Sequence, residues 1–120
     1  MSRAIERLTN ELGYPLLDAE GIEAFVQAQE NHVVFLTGDP VKNLETDDVA
    51  AILPELMRAF PGRFTAGVAD RAIEQSLRER FDVWPVPSLI FLHSGELRGA
   101  IPKVRDWDEY LREIQAILER

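Results

Sequence analysis

The chain has 120 residues, a length that favours one domain, which we predict over residues 1–120. It contains no cysteine, which excludes disulfides, thiolate metal sites and thiol catalysis. Its net charge of −8 disfavours nucleic acid and anionic membranes as partners, because both bind basic surfaces. There is no apolar run of about 18 residues and no apolar segment of the kind found in signal peptides. We therefore expect a cytoplasmic protein without membrane insertion.

Hydrophobic periodicity predicts helices and strands that alternate along the chain. The predicted helices cover residues 2–12, 19–29, 46–60 and 70–80, with a last helix from residue 106 onward. The predicted strands cover residues 15–17, 32–38, 64–69, 89–92 and 97–101. Strands that alternate with helices form parallel pairs, and the final hairpin adds antiparallel strands. The expected fold class is therefore α/β, with a mixed central sheet flanked by helices on both faces.

Polar residues at the helix starts predict the N-caps. These are Ser2, Asp18, Thr46, Asp70 and Asp106, the last with Glu109 in a capping box. Pro87 cannot donate to the sheet, so it is expected to open the strand at 89–92. On local sequence alone the Val86–Pro87 bond would be trans, because X-Pro bonds are cis in only about 5% of cases.

Three local motifs, placed in this order of elements, resemble the thioredoxin fold. They are Val86-Pro87-Ser88 before a buried strand, Ile52-Leu53-Pro54 within a helix, and the turn His93-Ser94-Gly95-Glu96. The resemblance implies a cis bond at Pro87, which overrides the low base rate. It also places the redox dithiol motif on Thr46-Asp47-Asp48-Val49, where both cysteines are missing, so thiol–disulfide exchange is excluded. A glycine that keeps the backbone open beside that motif is matched here by Lys103.

Three longer segments resemble the HyaE/HupG family of hydrogenase-expression accessory proteins. They are HVVFLTGDPVKNLETDDVAAILPEL, FTAGVADRAIE and FDVWPVPSLIFLHSGELRGAIPKVRDWDEYL. The resemblance implies a non-catalytic chaperone without a cofactor in the maturation of an uptake nickel–iron (NiFe) hydrogenase. Its implied partner is the twin-arginine signal peptide of the hydrogenase small subunit precursor, held before export. The alternative is a scaffold that docks another maturation factor or the body of a hydrogenase subunit.

Acidic residues near residue 46 are the first candidates for a peptide-binding site. One interpretation is that Asp47 and Asp48 only stabilise the helix start, where the macrodipole favours anions. The other is that Glu45, Asp47 and Asp48, beside Thr46, accept the guanidinium groups of a peptide, with Asp39 extending the patch. Paired carboxylates suit arginine because its planar fork can bond bidentately. The sequence leaves both interpretations open.

The loop before the predicted cis-proline is the second candidate. One interpretation is that Trp84 covers the core and Pro87 shapes a turn. The other follows from the resemblance: the residue before the cis-proline, here Val86, offers its backbone N–H and C=O to an extended peptide. Trp84 could then flank the peptide as an apolar or cation–π contact. Lys103 and Arg105 are expected to be ordinary solvated charges.

Catalytic and metal-binding motifs are not found in the sequence. His32 and His93 are far apart in the pattern, and no clustered ligand spacing accompanies them. No G-x-S-x-G motif or glycine-rich phosphate loop occurs. Asp47 and Asp48 would point about 100° apart on a helix and both would be solvated, a poor arrangement for acid–base catalysis. We therefore expect neither an enzyme nor a metal site.

Overall fold

Five strands form one mixed sheet in the order β1-β3-β2-β4-β5 in the computed structural model, which describes residues 2–120. The strands are β1 (Leu16–Leu17), β2 (His32–Leu36), β3 (Thr65–Ala69), β4 (Ser88–His93) and β5 (Glu96–Pro102). β3 pairs in parallel with both β1 and β2, whereas β4 pairs antiparallel with β2 and β5. The Val86–Pro87 bond is cis. The predicted α/β fold class and the predicted cis-proline are therefore confirmed.

Helices cover both faces of this sheet. They are α1 (Arg3–Glu6), which continues as a π-helical segment over Arg7–Glu11, α2 (Ile22–Gln27), α3 (Thr46–Ala59), α4 (Arg71–Phe81) and α5 (Trp107–Leu118). Among residues 2–120, no helix combines the length and the apolar character that crossing a membrane requires.

The central strand β2 divides its side chains between two hydrophobic cores. Val33 and Phe35 pack in the core that holds the apolar faces of α1, α3 and α5. Val34 and Leu36 pack in the opposite core, with apolar residues of α2 and α4. All four side chains are at most 1% exposed, so β2 is buried on both faces. This explains why the strand reads as a continuous apolar run.

The predicted N-cap at Thr46 and the predicted capping box at Asp106 are wrong. The residue before α3 is Glu45, which makes no side-chain cap, and Thr46 is the first helical residue. The Thr46 hydroxyl points inward and donates to the Thr37 carbonyl oxygen at 2.6 Å, so it is not available to the helix start. Asp106 occupies the N-cap position of α5 without a side-chain cap bond. The Glu109 carboxylate lies 3.5 Å from the Arg105 guanidinium, an ion pair in place of the predicted capping box.

The other predicted caps differ less from the structure. Ser2 accepts a hydrogen bond from the Ile5 N–H, and Asp70 accepts one from the Ala72 N–H. Asp18 accepts from the N–H groups of Glu20 and Gly21. Those bonds form a turn, so α2 begins at Ile22, three residues later than expected. The caps at Ser2 and Asp70 are confirmed, whereas the cap at Asp18 is wrong, because the N-cap residue of α2 is Gly21.

Candidate functional site

A cleft of ≈ 580 Å³ opens beside the carboxyl ends of the parallel strands and the first turn of α3. Ligands in open α/β sheets bind at this edge, where loops leave the strands. One wall of the cleft is apolar and is formed by Ile5, Leu16, Pro40, Val41 and Val68. The polar residues of the lining are Ser2, Thr37, Asp39, Asp47, Asp70 and Arg71. The cleft therefore combines an apolar wall with a charged rim.

The rim of the cleft is acidic. The lining contains three carboxylates and one guanidinium, so its formal charge is −2; these residues are Asp39, Asp47, Asp70 and Arg71. The Asp39 carboxylate accepts from the Val41 N–H at 2.9 Å, and Asp70 caps α4. Within residues 2–120, the Asp47 carboxylate has neither an ion pair nor a side-chain hydrogen bond. Asp47 is exposed, and it is the carboxylate most available to a cationic ligand.

The loop from Gly38 to Glu45 borders the cleft and is anchored at its start. The Gly38 N–H donates to the Glu74 carboxylate at 2.9 Å, and the Asn43 N–H donates to the Asp39 carbonyl at 2.8 Å. The loop nevertheless holds Val41 and Leu44 in solvent, with 85% and 86% of their surfaces exposed. They are the most exposed large apolar side chains among residues 2–120.

The Val86–Pro87 loop is tied to Lys103 by two hydrogen bonds. The Lys103 ammonium donates to the Val86 carbonyl oxygen at 2.8 Å, and the Lys103 backbone N–H donates to the Pro87 carbonyl oxygen at 2.8 Å. Lys103 has a φ of 64°, a conformation that favours glycine. The expectation that Lys103 is an ordinary solvated charge is therefore wrong. Its ammonium group already donates to the Val86 carbonyl oxygen, the acceptor that was expected to pair with a peptide.

Glu45 belongs to the same neighbourhood. Its carboxylate accepts a hydrogen bond of 2.8 Å from the backbone N–H of Val104, the residue after Lys103. The start of α3 and the Val86–Pro87 loop therefore meet at the end of β5. This contact also engages the Glu45 carboxylate within the protein, unlike that of Asp47.

Trp84 lies apart from the cleft, at the end of α4. Its indole N–H donates to the Asp82 carboxylate at 2.7 Å. The Arg78 guanidinium donates to the Trp84 carbonyl and lies 5.8 Å from the centre of the indole ring. The cation–π contact that was considered for a peptide is thus made by a residue of the chain itself.

The structure separates the predicted site residues into groups. Asp39 and Asp47 line the cleft, whereas Asp48 is exposed in the first turn of α3 and is not part of the lining. Glu45, Val86 and Pro87 meet around Lys103 and Val104. Thr46 is fully buried, and Trp84 contacts α4.

Glu74 is a residue of this region that the sequence analysis did not identify. It is only 5% exposed, and its carboxylate accepts the hydrogen bond from the Gly38 N–H at the start of the 38–45 loop. Its other carboxylate oxygen lies 3.6 Å from the Arg71 side chain at the rim. Its spacing in the sequence could have identified it as an inward-facing residue. Glu74 precedes the buried Leu77 by three residues and therefore lies on the same face of α4.

Comparison of the sequence with known proteins identifies a family that this chain matches. The model of the family described as hydrogenase-1 expression protein HyaE matches residues 4–110. The hydrogenase expression/formation protein HoxO of Azotobacter vinelandii is 49% identical over 116 residues, covering 95% of this chain and 76% of HoxO. The protein HupG of Rhizobium leguminosarum bv. viciae is 42% identical over 123 residues, covering 98% of this chain and 83% of HupG.

A solved structure agrees with these sequence matches. A crystal structure named for the hydrogenase expression/formation protein HupG of Rhodopseudomonas palustris CGA009 superposes with a TM-score of 0.62 and is 37% identical. The superposition covers 88% of this chain and 95% of that one. Together, the family match over most of the sequence, the relatives above 40% identity and the shared fold show that this chain belongs to the HyaE family of hydrogenase expression/formation proteins.

Proposed function

We propose that this hydrogenase accessory protein binds the twin-arginine signal peptide of a hydrogenase small subunit in the cytoplasm and holds it before export. The proposed role is non-catalytic. The observation that supports it best is the acidic rim of the cleft, where Asp39 and Asp47 face a space large enough for a ligand. Asp48, exposed in the same helical turn, adds a further negative charge.

Electrostatics favour a cationic peptide at this rim. The lining of the cleft carries the carboxylates of Asp39, Asp47 and Asp70 against the single guanidinium of Arg71, so its formal charge is negative. A guanidinium group can then bond a carboxylate bidentately, which an ammonium group cannot do. The net charge of −8 also attracts a basic peptide at long range, and salt screens this attraction.

Calorimetry with a synthetic signal peptide tests the proposal. We expect the double variant Asp39→Asn/Asp47→Asn to bind about fivefold more weakly or worse, since exposed ion pairs contribute up to about 1 kcal/mol each. Asp108→Asn is the matched control, because Asp108 is also an exposed aspartate in the first turn of a helix. A peptide with two lysines in place of the arginines should bind more weakly than the native sequence.

Two results would contradict the proposal. One is the absence of binding to the unmodified protein at low salt. The other is a double variant that binds as tightly as the Asp108→Asn control.

A second candidate function is a scaffold that docks onto the body of a hydrogenase subunit or another maturation factor. The observation that favours it is the loop that exposes Val41 and Leu44. Capture of a small subunit that lacks its signal peptide, lost in Val41→Ser/Leu44→Ser, would support this function.

A further inference from the structure

We infer that the cleft binds an apolar chain segment that lies a few residues from the arginines, so that the apolar wall and the acidic rim recognise one continuous ligand. This inference rests on the proposed function and deepens it, because it assigns the ligand a second, uncharged determinant. The determinant would lie against Leu16 and Val41, whereas the arginines would lie against Asp39 and Asp47.

The apolar wall is accessible to a ligand. Leu16 is 42% exposed and Val41 is 85% exposed, although both line a concave surface. Ile5 and Val68 behind them are nearly inaccessible and belong to the core, so they give the wall a fixed base. Apolar surface of this kind gains free energy when a ligand removes it from water.

The size of the cleft fits several side chains. Its volume of ≈ 580 Å³ falls within the range of about 300–1,000 Å³ that is typical of ligand sites. A cavity of about 150 Å³ holds one benzene molecule. The cleft therefore has room for roughly three or four large apolar side chains, which is more than the stem of a single arginine requires.

The charge of the rim selects among possible occupants. A second copy of this chain would bring a net charge of −8 to a lining of formal charge −2, so like charges would oppose a dimer there. An uncharged apolar molecule would leave the negative charge of the rim uncompensated. An apolar segment joined to a cationic segment matches both parts of the cleft, and basic residues next to an apolar run are the general pattern of export signal peptides.

Three synthetic peptides test the inference by calorimetry. The first carries two adjacent arginines followed by an apolar run, the second stops before the run, and the third has serine in place of the apolar residues. We expect the first to bind at least tenfold more tightly than the other two. Leu16→Ser should weaken the first peptide about fivefold and leave the second unchanged.

Leu97→Ser is the matched control, because Leu97 is 40% exposed on β5 and does not line the cleft. It should change binding of every peptide less than twofold. Val41→Ser provides a second variant that cannot unfold the core, since Val41 lies on an exposed loop, and it should weaken the first peptide as Leu16→Ser does.

The possible failures are distinguishable. If the first two peptides bind equally tightly, or if Leu16→Ser and Leu97→Ser behave alike, the inference is overturned while the proposed function stands. If no peptide binds, both are overturned. A dimer that dissociates in Leu16→Ser would assign the cleft to a second copy and would also overturn the inference.

Discussion

The carboxylate of Glu74 accepts a 2.9 Å hydrogen bond from the backbone N–H of Gly38, a residue 36 positions earlier in the chain. The bond is buried, and it joins α4 to the loop that borders the cleft. Its partners come from different elements, so it fixes where the loop leaves β2. The position of Asp39, the next residue, therefore depends on a side chain that does not itself line the cleft.

Removing the Glu74 carboxylate should destabilise the protein. We expect Glu74→Ala to lower the free energy of unfolding by about 1–3 kcal/mol, because the Gly38 N–H loses its buried acceptor. Glu74→Gln keeps an acceptor oxygen and should cost less. Urea unfolding measures both, with Glu79→Ala as the control, since Glu79 lies exposed on the same helix. Equal losses in Glu74→Ala and Glu79→Ala would contradict the assigned role of this bond.

Gly38 should not tolerate a side chain. A Cβ atom at this position would lie 2.8 Å from both the Asn43 amide nitrogen and a Val86 methyl group, and φ is +69°. Gly62→Ala is the control, because Gly62 has a φ of +70° but nothing within 4 Å of such a Cβ. Both variants should lose about 1–2 kcal/mol from the left-handed backbone. Thermal unfolding should show a clearly larger loss for Gly38→Ala, and equal losses would rule out the close approach to Val86.

The Lys103 side chain should compete with a bound peptide for the Val86 carbonyl oxygen. Lys103→Met frees this acceptor, and one additional hydrogen bond of about 0.5–1.5 kcal/mol should tighten peptide binding roughly two- to tenfold. The variant also removes a positive charge near an acidic surface. Lys42→Met is therefore the matched control, because it removes an exposed lysine from the loop beside the cleft.

Calorimetry of the two lysine variants with the same signal peptide separates these contributions. We expect tighter binding by Lys103→Met than by Lys42→Met. Equal gains in affinity would mean that only charge matters and that the peptide does not pair with Val86.

The ion pair between Glu23 and Arg80 should make the stability of the folded state depend on pH in the acidic range. The hydrogen bond from Arg80, helped by Gln27, lowers the pKa of Glu23 from about 4.5 to about 2. A carboxylate with a depressed pKa stabilises the folded state above its unfolded pKa, and the contribution is lost as pH falls from about 4.5 through about 2. NMR titration should show this low value, and it should rise towards the ordinary value in Arg80→Gln. Arg112→Gln should leave it unchanged.

The architecture could be predicted because it follows from local patterns. Val33 to Leu36 form a short, β-branched and aromatic apolar run that is typical of a strand buried on both faces, and β2 is such a strand. Asp70 caps α4 as its position in the sequence indicates. The alternation of helices and strands predicts a mixed sheet with helices on both faces, whereas the strand order β1-β3-β2-β4-β5 comes from the structure.

The site was harder to predict because its contacts are non-local. Thr46 and Asp106 are residue types that often cap helices. A cap also requires a side-chain hydrogen bond to the helix end, and Asp106 makes none. The Thr46 hydroxyl donates to the Thr37 carbonyl oxygen instead. Lys103 and Val86 are 17 positions apart, and no sequence pattern records that they meet. The cleft requires α1 to stand beside the carboxyl ends of the strands, which is a property of packing.

The buried Thr46 hydroxyl bears on whether a pair of cysteines could react at the start of α3. Thr46 occupies the position that the resemblance assigns to the first cysteine of the dithiol pair, and it is 0% exposed. A thiol introduced there would be enclosed, whereas reactive cysteines are partly exposed to their substrates. A reactive thiol at this position would therefore require a more open entry to α3, and we expect cysteine substituted for Thr46 alone to react slowly with thiol reagents.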